Sequence, residues 1–119
     1  MRLWLTALAG WAALIFILSS FPNPPGDQSQ EWRSIAGHLV EYFVLAFLAA
    51  KVIELWRPGW SMPTVAFVAW LAAVAYGISD EFHQSLVPRR DASVFDVLID
   101  AAGAAAGVVL WAWFSRGAR

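Results

Sequence analysis

Ionisable and other polar side chains recur at one end of the long apolar segments of this sequence. Imidazole and carboxylate groups are the side chains that proteins often use to move protons, ligate metal ions and hold polar ligands. Such groups are costly to place inside an apolar chain, so a gathering of them is a functional hypothesis in itself. The candidates are His38, Glu41, Tyr42, Asp80, Glu81, His83, Gln84, Asp96 and Asp100.

Helical spacing sorts most of these side chains into three stripes, each on one face of its own segment. Residues three and four positions apart are neighbours on the surface of a helix. Three helices that turn such faces toward each other would enclose a polar pocket. The stripes are His38, Glu41 and Tyr42, then Asp80, His83 and Gln84, and last Asp96, Asp100, Gly103 and Gly107.

The composition indicates which kind of protein positions these residues. Of the 119 residues, 60% are hydrophobic and 14% are charged, against about 45–50% and about 25% in soluble domains. A chain this short cannot bury so much apolar surface by folding alone, which excludes an ordinary soluble domain. The absence of cysteine excludes disulfide-stapled proteins and thiolate metal sites. A net charge of -1 offers no basic surface, so no nucleic-acid partner is expected.

Four apolar segments are each long enough to cross a bilayer core of about 30 Å as a helix. The sequence therefore predicts an all-α fold, an integral membrane bundle of four transmembrane helices with short loops, in a single domain over residues 1–119. The spans cover about residues 3–20, 35–55, 64–84 and 94–114. A cleaved signal peptide is a weaker interpretation of the first span, because its apolar run is too long and no A-x-A-like site follows.

Alternating spans place the ionisable ends of the second, third and fourth spans on the same side of the membrane. Five Lys and Arg residues lie on the opposite side, together with the termini, and three lie on the clustered side. This excess of positive charge favours cytoplasmic N- and C-termini. The pocket is then expected to open at the outer leaflet.

Other residues are typical of helix ends and helix contacts. Ser93 is a good N-cap for the fourth span, and Asp96 three residues later has the spacing of a capping box. Gly103 and Gly107 form a G-x-x-x-G motif, which lets another helix approach closely. A second copy of the chain is one source of that helix, so a homo-oligomer through the fourth span is a further prediction.

The stretch from Ser79 to Gly107 resembles the signature of the VanZ-like family. The family pattern is an acidic E-x-x-Q run, a proline, an arginine, a serine, an aspartate and then G-x-x-x-G. Those elements match Glu81, Gln84, Pro88, Arg90, Ser93, Asp96, Gly103 and Gly107. The H-x-x-x-Y of the family's second span matches His38 and Tyr42, and the resemblance covers nearly the whole chain.

The chain departs from the family pattern at three places, one of them near the start of the second span, where the family commonly has Lys and this chain has Arg33 and Ser34. Arg89 stands where the family often has glycine, and Asp100 stands where it often has asparagine. The resemblance implies a multi-pass protein of the bacterial plasma membrane. The founding member is linked to resistance to teicoplanin, a lipid-bearing glycopeptide, so a contribution to such resistance is the role that the resemblance suggests.

Two functions from different classes fit these residues. In the first, a non-enzymatic envelope protein binds a membrane lipid or a lipid-linked or amphipathic ligand in the polar pocket, and Arg90 pairs with its phosphate or carboxylate. Its ligand-binding residues would be His38, Glu41, Tyr42, Asp80, Glu81, Gln84, Arg90, Asp96 and Asp100. Ser93, Gly103 and Gly107 would be structural.

In the second function, a membrane enzyme modifies a lipid-linked cell-wall substrate. His38 or His83 would transfer a proton, Glu81 or Asp80 would be the partner carboxylate, and Arg90 would stabilise developing negative charge. No phosphate loop or H-E-x-x-H is present, and no cofactor is expected. A metal held by the two histidines and carboxylates, and an ion transporter, are weaker alternatives, so no metal ligands are assigned.

Overall fold

Four α-helices account for most of the chain. The computed structural model describes residues 1–22, 30–88, 90 and 92–118, and those residues form four helices and no strand. The helices are α1 (Arg2–Ser19), α2 (Gln30–Trp56), α3 (Met62–Ser85) and α4 (Val94–Ala118). The all-helical fold is thus confirmed. The helices α2 and α4 are longer than the apolar runs suggested, because helical hydrogen bonding continues into the polar residues that end a hydropathy segment.

Local sequence explains where the helices begin and end. The side chain of Ser61 accepts a hydrogen bond from the backbone N–H of Thr64 at 3.3 Å and caps α3. Pro63 lies in the first turn, where a missing N–H leaves no helical bond unmade. The helix α2 ends at Trp56, directly before the Arg57-Pro58-Gly59 segment that cannot continue a helix.

The helices run alternately up and down, with α2, α3 and α4 packed against one another. The helix α1 lies against α2 and α3 and, in the described part of the chain, makes no contact with α4. The centre of the bundle is built from small side chains, which allow close helix approach. Those that are essentially inaccessible to solvent include Ala46, Ala50, Ala69, Ala73 and Ala104.

Two glycines bring α4 into backbone contact with α2. A Cβ atom placed on Gly103 would lie 2.6 Å from the carbonyl oxygen of Leu39, and one placed on Gly107 would overlap the carbonyl oxygen of Phe43. The glycine face of α4 is therefore filled by α2 of the same chain. A homo-oligomer stays a prediction, and it would need another face of α4.

Aromatic donors join the helices along their length. The indole N–H of Trp11 donates to the backbone carbonyl of Glu41 at 2.8 Å, and that of Trp70 donates to Ala101 at 3.0 Å. The hydroxyl of Tyr76 donates to the carbonyl of Ala12 at 2.5 Å. A buried aromatic donor needs such an acceptor, and here each acceptor is a backbone carbonyl of a neighbouring helix.

The outer surface of the bundle is strongly apolar. Leu3, Phe82 and Trp113 are exposed over 78%, 70% and 68% of their surfaces. The helices α1, α3 and α4 are each long and apolar enough to cross a membrane, which indicates a membrane protein. Composition thus supports three spans rather than the expected four, because ionisable residues lie on both sides of the apolar residues 42–50 of α2.

Candidate functional site: a buried polar cluster

Polar side chains gather at the end of the bundle where α1 and α3 end and α2 and α4 begin. We call this group the polar cluster. Its members come from α2, α3 and α4, and all are buried except Asp96, which is half-buried. They are His38, Tyr42, Asp80, Glu81, Gln84, Asp96 and Asp100.

The centre of the polar cluster is an ion pair between α2 and α4. Nδ1 of His38 lies 2.6 Å from Oδ1 of Asp100, and the two side chains are only 4% and 0% exposed. The other oxygen, Oδ2, is turned toward Gly77 of α3, where an added Cβ would lie 2.9 Å from it. Gly77 therefore makes room for Asp100. Within the described residues, Oδ2 has no hydrogen-bond partner.

Asp80 of α3 occupies a different environment. Its Oδ2 accepts a hydrogen bond from the Tyr42 hydroxyl at 3.2 Å and another from Nε2 of Gln84 at 3.4 Å. The ring of Tyr42 lies parallel to that of His38, with centroids 6.3 Å apart. Asp80 is thus held by two uncharged donors, whereas Asp100 is held by an imidazole.

Glu81 joins the end of α3 to the start of α4. Its Oε2 accepts a hydrogen bond from the backbone N–H of Ser93 at 2.7 Å, while the Ser93 hydroxyl accepts one from the N–H of Phe95 at 3.1 Å. Ser93 therefore caps α4. The reciprocal bond of a capping box, expected from Asp96, is made by Glu81 instead. Among the described residues no donor contacts the Asp96 carboxylate.

The contact of Glu81 with the start of α4 brings three potential metal ligands together. One ring nitrogen of His38 and one carboxylate oxygen each from Glu81 and Asp96 lie within 4.8 Å of one another. The Oε1 atom of Glu81 is buried and has no hydrogen-bond partner among the described residues. The weaker metal alternative from the sequence contains both histidines, but His83 is not one of these three residues.

His83 does not join the polar cluster, although it shares a helical stripe with Asp80 and Gln84. Its Nδ1 lies 3.2 Å from the hydroxyl oxygen of Ser19, and its Nε2 lies 3.4 Å from that of Ser20. The ring also stacks on Phe16, with centroids 4.3 Å apart. Its partners therefore all belong to the end of α1.

Arg90 and Glu41 lie beside the polar cluster without bonding to it. Nη1 of Arg90 donates to the carbonyl of Phe21 at 2.9 Å and, more weakly, to that of Leu18 at 3.5 Å, so it ties the α3–α4 connection to the end of α1. The carboxylate of Glu41 is half-buried and accepts no hydrogen bond from the described residues. Arg89 lies outside the described residues.

A second polar group, which sequence reasoning had missed, lies at the opposite end of the bundle. Oε2 of Glu54 accepts hydrogen bonds from Nζ of Lys51 at 3.0 Å and from the indole N–H of Trp111 at 3.3 Å. The i, i+3 spacing of Lys51 and Glu54 inside an apolar segment was the available signal. These contacts give α2 polar partners at both ends.

Comparison with known proteins gives one match. The model of the VanZ/LLP1 family matches residues 4–115, which include all but the ends of the chain and every residue of the polar cluster. No curated protein and no solved structure matches the chain.

Proposed function

The chain belongs to the VanZ/LLP1 family, and from this premise we propose that it is a four-span membrane protein that binds the polar part of a lipid-linked or amphipathic ligand. The observation that carries the proposal is the buried polar cluster. Two of its carboxylate oxygens, on Glu81 and Asp100, have no hydrogen-bond partner among the described residues. Buried polar atoms are nearly always paired, so unpaired ones indicate a role beyond packing.

The proposal includes a membrane crossing by α2. This helix has 27 residues, more than the roughly 20 that a crossing needs. Three of the side chains that lower its hydropathy have polar partners: His38 bonds to Asp100, and Lys51 and Glu54 bond to each other. Ionisable groups inside a bilayer are found in this arrangement, facing the bundle interior and paired. The half-buried carboxylate of Glu41 has no such partner among the described residues.

Arg90 is proposed to meet the ligand at the rim of the cluster. Only its Nη1 atom is engaged, and its other guanidinium donors have no partner among the described residues. A guanidinium with donors to spare suits a phosphate or a carboxylate. The lipid part would lie along exposed apolar side chains at the same end, such as Phe82, Leu86 and Val94.

Location and biological role are part of the proposal. We place the protein in the bacterial plasma membrane, with cytoplasmic termini and the polar cluster at the outer leaflet. A contribution to teicoplanin resistance would then arise because the protein holds a lipid-bearing molecule at the surface where the glycopeptide acts. The test is expression in a glycopeptide-sensitive host. Protection against teicoplanin by the wild type, and none by Arg90→Lys at equal membrane level, is expected.

Ligand binding is tested on purified protein in detergent. We expect farnesyl phosphate to bind, and farnesol, which lacks the phosphate, to bind more weakly. Arg90→Lys should weaken the binding of farnesyl phosphate because the planar guanidinium fork, which can bind two oxygens at once, is replaced by a compact ammonium group. Arg116→Lys, at the end of the bundle opposite the polar cluster, is the matched control. Equal affinity for the two probes would refute the proposal.

A membrane enzyme acting on a lipid-linked substrate is the second candidate. The 2.6 Å contact of His38 with Asp100 favours it, since a carboxylate that orients an imidazole is a common feature of general bases. His83 is bound to two serines and has no carboxylate partner among the described residues. This candidate predicts phosphate release from farnesyl diphosphate, lost in His38→Gln and kept in His83→Gln. Wild-type protein without turnover would remove it.

A further inference from the structure

We propose that His38, Glu81 and Asp96 bind one divalent transition-metal ion, with Zn²⁺ or Mn²⁺ as the best-matched cations. The ion's role toward a ligand phosphate rests on the proposed function, whereas metal binding itself does not. The three residues come from α2, α3 and α4. The ion would therefore join the three helices that form the centre of the bundle.

The distances suit one ion. The three ligand atoms lie within 4.8 Å of one another. Zinc binds nitrogen and oxygen ligands at about 2.0–2.2 Å, so neighbouring ligand atoms in a tetrahedral site lie about 3.3 Å apart. Small side-chain rotations would close the three atoms around one cation.

An independent observation points to a ligand at this position. Glu81 is only 8% exposed, and its Oε1 is buried without a hydrogen-bond partner among the described residues. The other oxygen, Oε2, is fixed by the N–H of Ser93, so the carboxylate is held in place while one oxygen stays available. A carboxylate that is both oriented and incompletely paired is suited to coordinate a cation.

His38 has the surroundings of a metal-bound histidine. Metal-ligating histidines donate their other ring N–H to a carboxylate or a carbonyl, which fixes the tautomer. Nδ1 is bonded to Asp100, and Nε2 has no hydrogen-bond partner in the described part of the chain, so Nε2 is the nitrogen that the proposal assigns to the metal. Asp100 is therefore the residue that positions His38, and it is not counted as a ligand.

The charge balance also favours a cation. Glu81, Asp96 and Asp100 place three carboxylates near one imidazole, and all of them except the half-buried Asp96 lie in the low-dielectric interior of the bundle. Gathering like charges there is unfavourable unless an opposite charge compensates them. A divalent ion supplies two positive charges at the point where Glu81 and Asp96 meet.

The donor set selects the type of metal. One imidazole with two carboxylates suits zinc and manganese, whereas magnesium and calcium prefer oxygen ligands alone. Three protein ligands leave a coordination position for another group, as in catalytic zinc sites. An anionic phosphate could occupy that position.

The test is titration of the purified, chelator-treated full chain with Zn²⁺, and separately with Mn²⁺ followed by electron paramagnetic resonance. We expect one equivalent of metal per chain. Asp96→Asn should weaken binding at least tenfold, and it should leave the fold intact because no described donor contacts that carboxylate. His83→Gln, which replaces a histidine outside the polar cluster, is the matched control and should bind as the wild type does.

Each outcome decides the proposal. Equal affinities of the wild type and Asp96→Asn would overturn it, as would equal losses in Asp96→Asn and His83→Gln, which indicate unspecific surface binding. Binding of farnesyl phosphate before and after chelation then separates the two proposals. Metal binding without phosphate binding would refute the proposed function alone. Phosphate binding that is unchanged by chelation would refute the metal's role toward the ligand.

Discussion

Burial of the Asp100 carboxylate is costly, and its surroundings show how that cost is reduced. It is completely buried, its Oδ1 bonds to His38, and its Oδ2 lies in the space left by Gly77. A side chain at position 77 would displace the carboxylate. The geometry at this residue therefore depends on three helices at once, and a change in any one of them alters the pair.

Removal of Asp100 should be strongly destabilising. Breaking a buried ion pair by deleting one partner costs about 3–5 kcal/mol, because the other partner is left uncompensated. We expect Asp100→Ala to lower the free energy of unfolding in mixed micelles by that amount. The carboxylate of Asp96 accepts no hydrogen bond from the described residues. Asp96→Ala should therefore lower the free energy of unfolding only by the helix-dipole contribution of about 0.3–1 kcal/mol. Equal losses in the two variants would contradict the assignment of His38 and Asp100 as the central pair.

At the scale of the helices, α4 is fixed by two different devices. Its start is held by Glu81 of α3 through the N–H of Ser93, and its middle is held by backbone contact with α2 at Gly103 and Gly107. The first device is polar and the second is purely steric. Substitutions should therefore affect the start and the middle of α4 in different ways.

The steric device predicts opposite effects of the same substitution at two glycines. Gly107→Ala should destabilise the protein by about 1–3 kcal/mol, the usual cost of overpacking, because its methyl group would overlap the carbonyl of Phe43. Gly10→Ala has no atom within 4 Å of the added group. It should stabilise α1 by about 0.5–1 kcal/mol. Thermal unfolding monitored by circular dichroism measures both, and a neutral Gly107→Ala would contradict the α2–α4 contact.

The tryptophan bonds between helices give a second prediction at this scale. Trp70→Phe keeps the aromatic ring but removes the donor to the Ala101 carbonyl. Hydrogen bonds between membrane helices contribute about 0.6 kcal/mol on average and about 1.7 kcal/mol at most. We expect a loss in that range. Trp113→Phe, at an exposed position, should leave the unfolding free energy unchanged.

At the scale of the whole molecule, the up-and-down arrangement places the polar cluster at one end and the Lys51–Glu54 pair at the other. Both polar groups involve α2, the helix whose composition is least typical of a membrane span. An inward-facing charge lowers hydropathy without being exposed to lipid. A hydropathy average cannot register this difference, because it does not depend on the direction in which a side chain points.

The crossing of α2 can be tested directly because the chain has no cysteine. The positions of the single-cysteine variants Pro22→Cys and Gly59→Cys lie just beyond α1 and just beyond α2, so they flank α2 on its two sides. A membrane-impermeant maleimide added to intact cells should label Pro22→Cys and spare Gly59→Cys until the membrane is opened. Labelling of both, or of neither, in intact cells would show that α2 does not cross.

Spacing along a single helix was predictable, whereas the partners of each face were not. The i, i+3 and i, i+4 spacings grouped His83 with Asp80 and Gln84, but positions three apart differ in direction by about 60° around a helix. At the end of α3, this difference in direction turns one side chain toward α2 and the other toward α1. Asp80 therefore faces Tyr42, while His83 faces Ser19. Only the packing of the whole bundle, which periodicity does not contain, determines those directions.

The pairing of His38 with Asp100 also has a consequence for biosynthesis. The two residues are 62 positions apart in the chain, and a ribosome adds about 5–20 residues per second. Roughly 3–12 s therefore pass between the synthesis of the imidazole and that of its carboxylate partner. During that interval the polar face of α2 has no Asp100 to bind, so we expect the nascent helix to stay near the insertion machinery and to enter the lipid together with α4.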